Sequence, residues 1–235
     1  MSRGFTVAIV GADGSGKSTI AEMILSDSRV PMKYIYMGAS TDASNVSLPT
    51  SRLLAYLKRR RIAKSGDKSD SLPPAVLMSE EMKARLPRGR IVKALGLVNR
   101  IAEEWYRQLV VWINLLSGYI VICDRHFLFD YFPDSESLRS ENDRASSRLH
   151  AYMLSRFFPR PNLTLFLDAP SEVLYARKPE WTVGHLDRQR TGIAEQGRYC
   201  RNFVVIDATQ PVSKVFSDVH GHIDRFRAAR SRRGG

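Results

Sequence analysis

The chain has 235 residues, 43% of them hydrophobic and 26% charged, proportions that exclude wholesale disorder and leave room for one compact domain with a small insertion rather than two domains. An excess of 36 Lys and Arg over 24 Asp and Glu gives a formal net charge of +12, which favours anionic partners such as nucleotides, nucleic acid or acidic membrane. No apolar run approaches the ~20 residues of a bilayer span and residues 1–6 lack the layout of a secretory signal, so a cytoplasmic protein with no membrane partner is expected.

The first apolar run, Thr6–Val10, reads as a strand. It leads into Gly11-Ala12-Asp13-Gly14-Ser15-Gly16-Lys17-Ser18, a complete G-x-x-x-x-G-K-[ST] motif followed by Thr19 and helical spacing. Strand, glycine-rich loop and helix in this order are the context that makes the motif a phosphate cradle: backbone amides and the helix N-terminus face the negative charge. Gly11, Asp13, Gly14, Ser15, Gly16 and Thr19 are thus candidate nucleotide-binding positions. Lys17 is expected to bridge the β- and γ-phosphates of ATP, and the Ser18 hydroxyl to coordinate Mg2+. A second strand is expected at 34–37.

Residues 39–96 break the rhythm, being rich in Ser, Pro, Lys and Arg. A short helix at 50–63, a mobile loop at 65–74 and a role as a divergent, acceptor-binding insertion are expected there. Leu97, Ile101, Trp105, Leu109, Ile113 and Leu116 then form an apolar stripe along one long helix, which Ser117-Gly118 should end.

Strand 120–123 carries Cys123, expected to be an inert buried thiol, and delivers Asp124-Arg125 to the sheet edge that holds the phosphate loop. Asp124 there can hold Mg2+ or orient the attacking oxygen, and Arg125 can clamp a phosphate. His126 reads equally as a packing residue or an acceptor contact. Strand 163–167 ends at Asp168, a candidate helix cap or metal-shell support. Lys178, Arg188 and Arg190 bracket a basic segment at about 178–190 that is expected to close over the triphosphate as a lid. A last strand, 203–206, precedes a basic tail. Five strands alternating with helices predict an α/β fold, a doubly wound five-stranded parallel sheet with helices on both faces, as in P-loop NTPases.

These pieces together resemble the thymidylate kinase-like P-loop nucleoside monophosphate kinases. The likeness rests on the phosphate loop through Thr19, on Gly118 through Asp124-Arg125, on 163–170, on His185-Leu186-Asp187-Arg188, and on Val205-Ile206-Asp207-Ala208-Thr209-Gln210-Pro211, about two thirds of the chain in the family's order. It implies that Ala208, Thr209, Gln210 and Pro211 surround the adenine of ATP with Arg177 near base or sugar, that Asp13 faces the acceptor sugar, that Arg125 holds the acceptor phosphate, and that Arg188 closes from the lid. The chain departs from the family after the second strand, where Met37-Gly38-Ala39-Ser40 replaces an Arg-Glu-Pro-Gly type segment, and at His126, which replaces an aromatic residue. Trp105, Tyr106 and Arg107 stand as a substitute stacking or clamping set for the acceptor.

The expected activity is therefore ATP- and Mg2+-dependent phosphoryl transfer to a dTMP-like nucleoside monophosphate, with Lys17, Asp124, Arg125 and Arg188 as catalytic residues and Ser18 and Asp124 as metal ligands. Two alternatives stay open: the same ATP site with another small-molecule phosphate acceptor, and a basic NTP-dependent switch that contacts a protein or nucleic acid. The run Lys58-Arg59-Arg60-Arg61 lacks interleaved aromatics, which disfavours nucleic acid without excluding it. A homodimer is also left open.

Overall fold

Near-continuous apolar runs become five strands, β1 Thr6–Val10, β2 Met32–Tyr36, β3 Ile120–Asp124, β4 Leu163–Asp168 and β5 Phe203–Asp207. The computed structural model describes residues 4–27, 30–38, 45–49, 90–130, 152–153 and 156–233; the helix expected at 50–63 and the loop at 65–74 lie outside them. The helices are α1 Lys17–Asp27, α2 Arg90–Leu116, α3 Phe127–Asp130, α4 Ser171–Arg177, α5 Val183–Gly197 and α6 Val212–Arg233. All strand pairs are parallel, in the order β2-β3-β1-β4-β5.

Successive strand side chains go to opposite faces, and both faces are covered by helices. On one, Val7 and Ile9 of β1, Ile122 of β3 and Leu165 and Leu167 of β4 meet Ile20 and Ile24 of α1 and Val219 and Ile223 of α6. On the other, Ala8, Val10, Val121, Cys123 and Phe166 meet Val111 of α2, Phe127 and Phe129 of α3, and Ile193 of α5. Each fully buried large side chain contributes about 1.5–3 kcal/mol, so this double covering explains why the strands read as unbroken apolar runs.

β2 begins two residues before the expected strand and ends one residue before its end, because main-chain pairing and not apolarity sets its limits: Met32 and Lys33 register with Ile120 and Val121. At the outer edge of β2 the side chain of Asn45 imitates another strand. Its Oδ1 accepts from Tyr36 N at 3.1 Å and its Nδ2 donates to Tyr34 O at 2.7 Å. The helix α2 stops where expected, with Gly118 in the left-handed region at φ 84°, a conformation that ends helices without the steric penalty of a Cβ.

The chain divides into two units, one of Met1–Val46 with Arg107–Gly235, the other of Ser47–Tyr106. Within the second, Leu48 N donates to Glu103 Oε2 at 2.9 Å, and Arg100 pairs with Glu104 at 3.7 Å. No helix among the described residues is long and apolar enough to cross a membrane.

Candidate active site

The site grows from two neighbouring strand ends. β1 and β3 are paired with Ile9 opposite Asp124, and Arg125 N donates to Ile9 O at 3.0 Å. The loop after β1 and the Asp124-Arg125 pair after β3 therefore leave the sheet side by side, where the strand order turns back on itself and open α/β sheets place ligands.

In the loop, Gly14 and Gly16 both take φ 86°, so the chain winds tightly before α1 opens at Lys17. Lys17 is buried, and its Nζ donates to the Ala12 carbonyl at 2.8 Å, which holds the ammonium over the loop. The Ser15 hydroxyl is buried with no hydrogen-bond partner, an uncompensated polar group of the kind an anion would satisfy. Thr19 is exposed on the first turn of α1.

Asp124 is almost completely buried. Its Oδ2 accepts from the Ser18 hydroxyl at 2.7 Å and from the Tyr34 hydroxyl at 2.8 Å, while Oδ1 is buried without a partner. A buried carboxylate oxygen left bare costs free energy, and its pairing with a phosphate-loop serine is a donor set that fits Mg2+. Burial and then the Asp124 carboxylate push the Tyr34 phenol up, so Tyr34 remains a donor. Cys123, buried behind Asp124, has its thiol pushed up to about 12 by burial and then by that charge, which makes it a packing residue.

Arg125 is the only non-glycine residue with positive φ among the described residues, at 66°, a conformation that costs about 1–2 kcal/mol. Its guanidinium pairs with Asp13 across the site. Burial raises the Asp13 pKa, but Arg125 and Lys17 outweigh it and hold the carboxyl below its ordinary value. His126 turns inward instead: buried, edge-on to Phe129 and Phe158 at 6.4 and 5.8 Å, and lowered by burial to about 4. It packs the core.

A second cluster lies at the ends of β4 and β5. Ala208 N donates to the Asp168 carbonyl at 2.7 Å, and Arg177 Nη1 donates to the Ala208 carbonyl at 2.8 Å. Arg177 and Ala208 are thus in contact. Thr209 donates to Asp207 Oδ1 through N and Oγ1 at 2.9 and 2.6 Å, and Gln210 Nε2 reaches Oδ2 at 3.3 Å; these contacts shape the turn before Pro211. The Thr209 bonds in turn lower the Asp207 pKa.

Two expectations are corrected here. Asp168 does not cap α4, whose N-cap is Pro170 without a side-chain bond. Its carboxylate instead takes Arg190 bidentately, at 2.7 and 3.1 Å, and that bond raises the Arg190 pKa further. Nor is Arg107 available to an acceptor. It is buried, with Nε donating to the Val46 carbonyl at 3.1 Å and Nη1 to the Gly38 carbonyl at 2.7 Å, so it ties down the segment after β2. In the segment expected as a lid, Lys178 pairs with Glu180 at 3.1 Å. Thr182 caps α5 by accepting from His185 N, Leu186 is fully buried, and Arg188 is exposed. Tyr34 and Asp207 escaped the sequence reading. Tyr34 stood only as a strand residue, while Asp207 lay inside the matched string and its Asp-x-Thr spacing is a turn signal.

A parallel sheet in this order, with a phosphate loop after β1 and a serine-paired aspartate at the end of β3, defines the P-loop NTPase fold. Within that class the chain is similar along its length to a thymidylate kinase. Thymidylate kinase of Lactobacillus helveticus (strain DPC 4571) is 23% identical over 248 aligned residues, which cover 95% of this chain and 97% of that relative. No family model matches the chain.

Proposed function

We propose that the protein is a phosphotransferase that moves the γ-phosphoryl group of ATP to a phosphorylated, nucleoside monophosphate-like acceptor. The observation that carries this reading is the meeting of Ser18, Asp124, Asp13 and Arg125 at the mouth of the phosphate loop. The similarity to a thymidylate kinase along almost the whole chain supports it.

The chain's own groups do positional and electrostatic work. Amides of the loop and the start of α1 hold the β- and γ-phosphates, and Lys17 balances charge that shifts toward the leaving oxygen. Ser18 and Asp124 would hold Mg2+, which when bound neutralises phosphate charge. Arg125 offers its guanidinium to the acceptor phosphate, and Asp13, kept ionised by Arg125 and Lys17, accepts from a sugar hydroxyl. Arg177 with Ala208, Thr209, Gln210 and Pro211 surrounds the adenine, and Arg188 approaches the phosphates from α5.

Acceptor choice is a separate matter. With Arg107 engaged by the Gly38 and Val46 carbonyls, and without the family's Arg-Glu-Pro-Gly type segment, the hydrogen bonds that select dTMP have no evident source among the described residues, and selection of this kind depends on them. The acceptor is therefore nucleotide-like without dTMP being favoured. Screening nucleoside mono- and diphosphates for ADP release tests both statements. No ADP release with any acceptor overturns the kinase reading, and a preference for dTMP above about tenfold, ~1.4 kcal/mol in transition-state terms, overturns the second. A homodimer is also proposed, supported by the exposed apolar side chains of Leu109, Ile113 and Leu116 on α2.

A further inference from the structure

From the Tyr34 contact we infer that this residue is a positioning residue for the metal carboxylate: its hydroxyl, with that of Ser18, saturates Asp124 Oδ2 and so reserves Oδ1 for the cation or for water bound to it. The inference rests on the phosphotransferase reading and adds a residue that neither the loop motif nor the Asp124-Arg125 pair contains.

The argument begins with counting. A carboxylate oxygen offers about two lone-pair sites, and Oδ2 has two hydroxyl donors, at 2.7 and 2.8 Å. Oδ1 is buried with none. With Oδ2 filled, rotation of the carboxylate would break two hydrogen bonds in a buried site, so the group is held with Oδ1 unsatisfied. Ser18 can keep its donated bond to Oδ2 and still present an oxygen lone pair to a cation, because a hydroxyl is donor and acceptor together. Tyr34 has no such second duty.

The ring of Tyr34 and its hydroxyl have separable roles. The ring packs against the apolar cluster between the sheet, α1 and α6, which phenylalanine would do equally well. The hydroxyl reaches across from β2 to β3, from a residue paired with Ile122 to the carboxylate two positions further on. Only the carboxylate requires the oxygen. Partners beyond the immediate ligands commonly change metal affinity by about 10–100-fold when removed.

The test compares wild type with Tyr34→Phe by Mn2+ titration in the presence of ADP, read by electron paramagnetic resonance, and by ADP binding in EDTA. The expected result is a metal half-saturation raised about tenfold with metal-free ADP affinity within about twofold of wild type. Unchanged metal half-saturation, or an equal loss of metal-free ADP affinity, overturns the inference and leaves the proposed function standing. Failure of the wild type to bind Mn2+ with ADP overturns both. Should Tyr34→Phe not fold, Tyr34→Met, which is apolar, adaptable and also lacks the donor, carries the same comparison.

Discussion

Asp124 gathers hydroxyls from α1 and β2 onto one oxygen, and the residues around it should fail in distinguishable ways. Lys17→Ala is expected to lower turnover by about 10²-fold or more with an unchanged melting temperature, as loss of a group that stabilises transferred charge does; near-normal turnover in a folded variant would remove the loop from the chemistry. Arg125→Ala should raise the KM for the acceptor more than that for ATP, whereas Asp124→Asn should lower kcat and raise the metal concentration needed for half-maximal activity. Equal effects of Arg125→Ala on both Michaelis constants would make its pair with Asp13 purely structural. His126 predicts a pH effect on stability. Its folded pKa of about 4 lies below the ordinary 6.5, so between these values the unfolded chain takes up a proton that the fold refuses. Stability therefore declines as pH falls from about 6.5 to about 4, by at most on the order of 3 kcal/mol. Chemical denaturation at several pH values should give a shallower slope for His126→Leu; equal slopes would contradict the burial argument.

Between elements, the Arg190 and Asp168 pair joins α5 to the end of β4, and Asp168 also supplies the main-chain carbonyl that holds Ala208. A double-mutant cycle of Arg190→Ala and Asp168→Ala is expected to show a coupling of about 1 kcal/mol in denaturant unfolding, and additive effects would refute the tether. Strands and their order along the chain were readable because burial on both faces leaves an apolar run, and the phosphate loop because its glycines and lysine lie within eight consecutive residues. Arg107, Tyr34 and Asp168 were not. Arg107 sits on an amphipathic helix where arginine usually faces water, and its carbonyl partners are 69 and 61 residues away. Tyr34 meets a carboxylate 90 residues further on. Local pattern carries no trace of such partners, and Asp168 lies two residues before the N-cap Pro170, its carboxylate taken by Arg190.

At the scale of the whole molecule, α2 leaves apolar side chains exposed among the described residues: Leu116 is 89% exposed and Ile113 54%. Sedimentation is expected to give a dimer, and the double substitution Ile113→Glu and Leu116→Glu a monomer that still binds ATP; a monomeric wild type would refute the interface. The basic end of α6, with Arg225, Arg227, Arg230 and Arg232, bears on the alternative reading as a nucleic-acid switch, for which affinity would fall steeply with salt. Asn45 has a bearing on solubility. Its amide occupies one donor and one acceptor on the outer rim of the sheet, groups that, if left bare, invite a strand from another molecule. One side chain thereby acts as a guard against polymerisation. Asn45→Ala should leave ATP binding intact yet increase light scattering on concentration or mild heating, since Tyr36 N and Tyr34 O would lose this partner; unchanged scattering would refute that role.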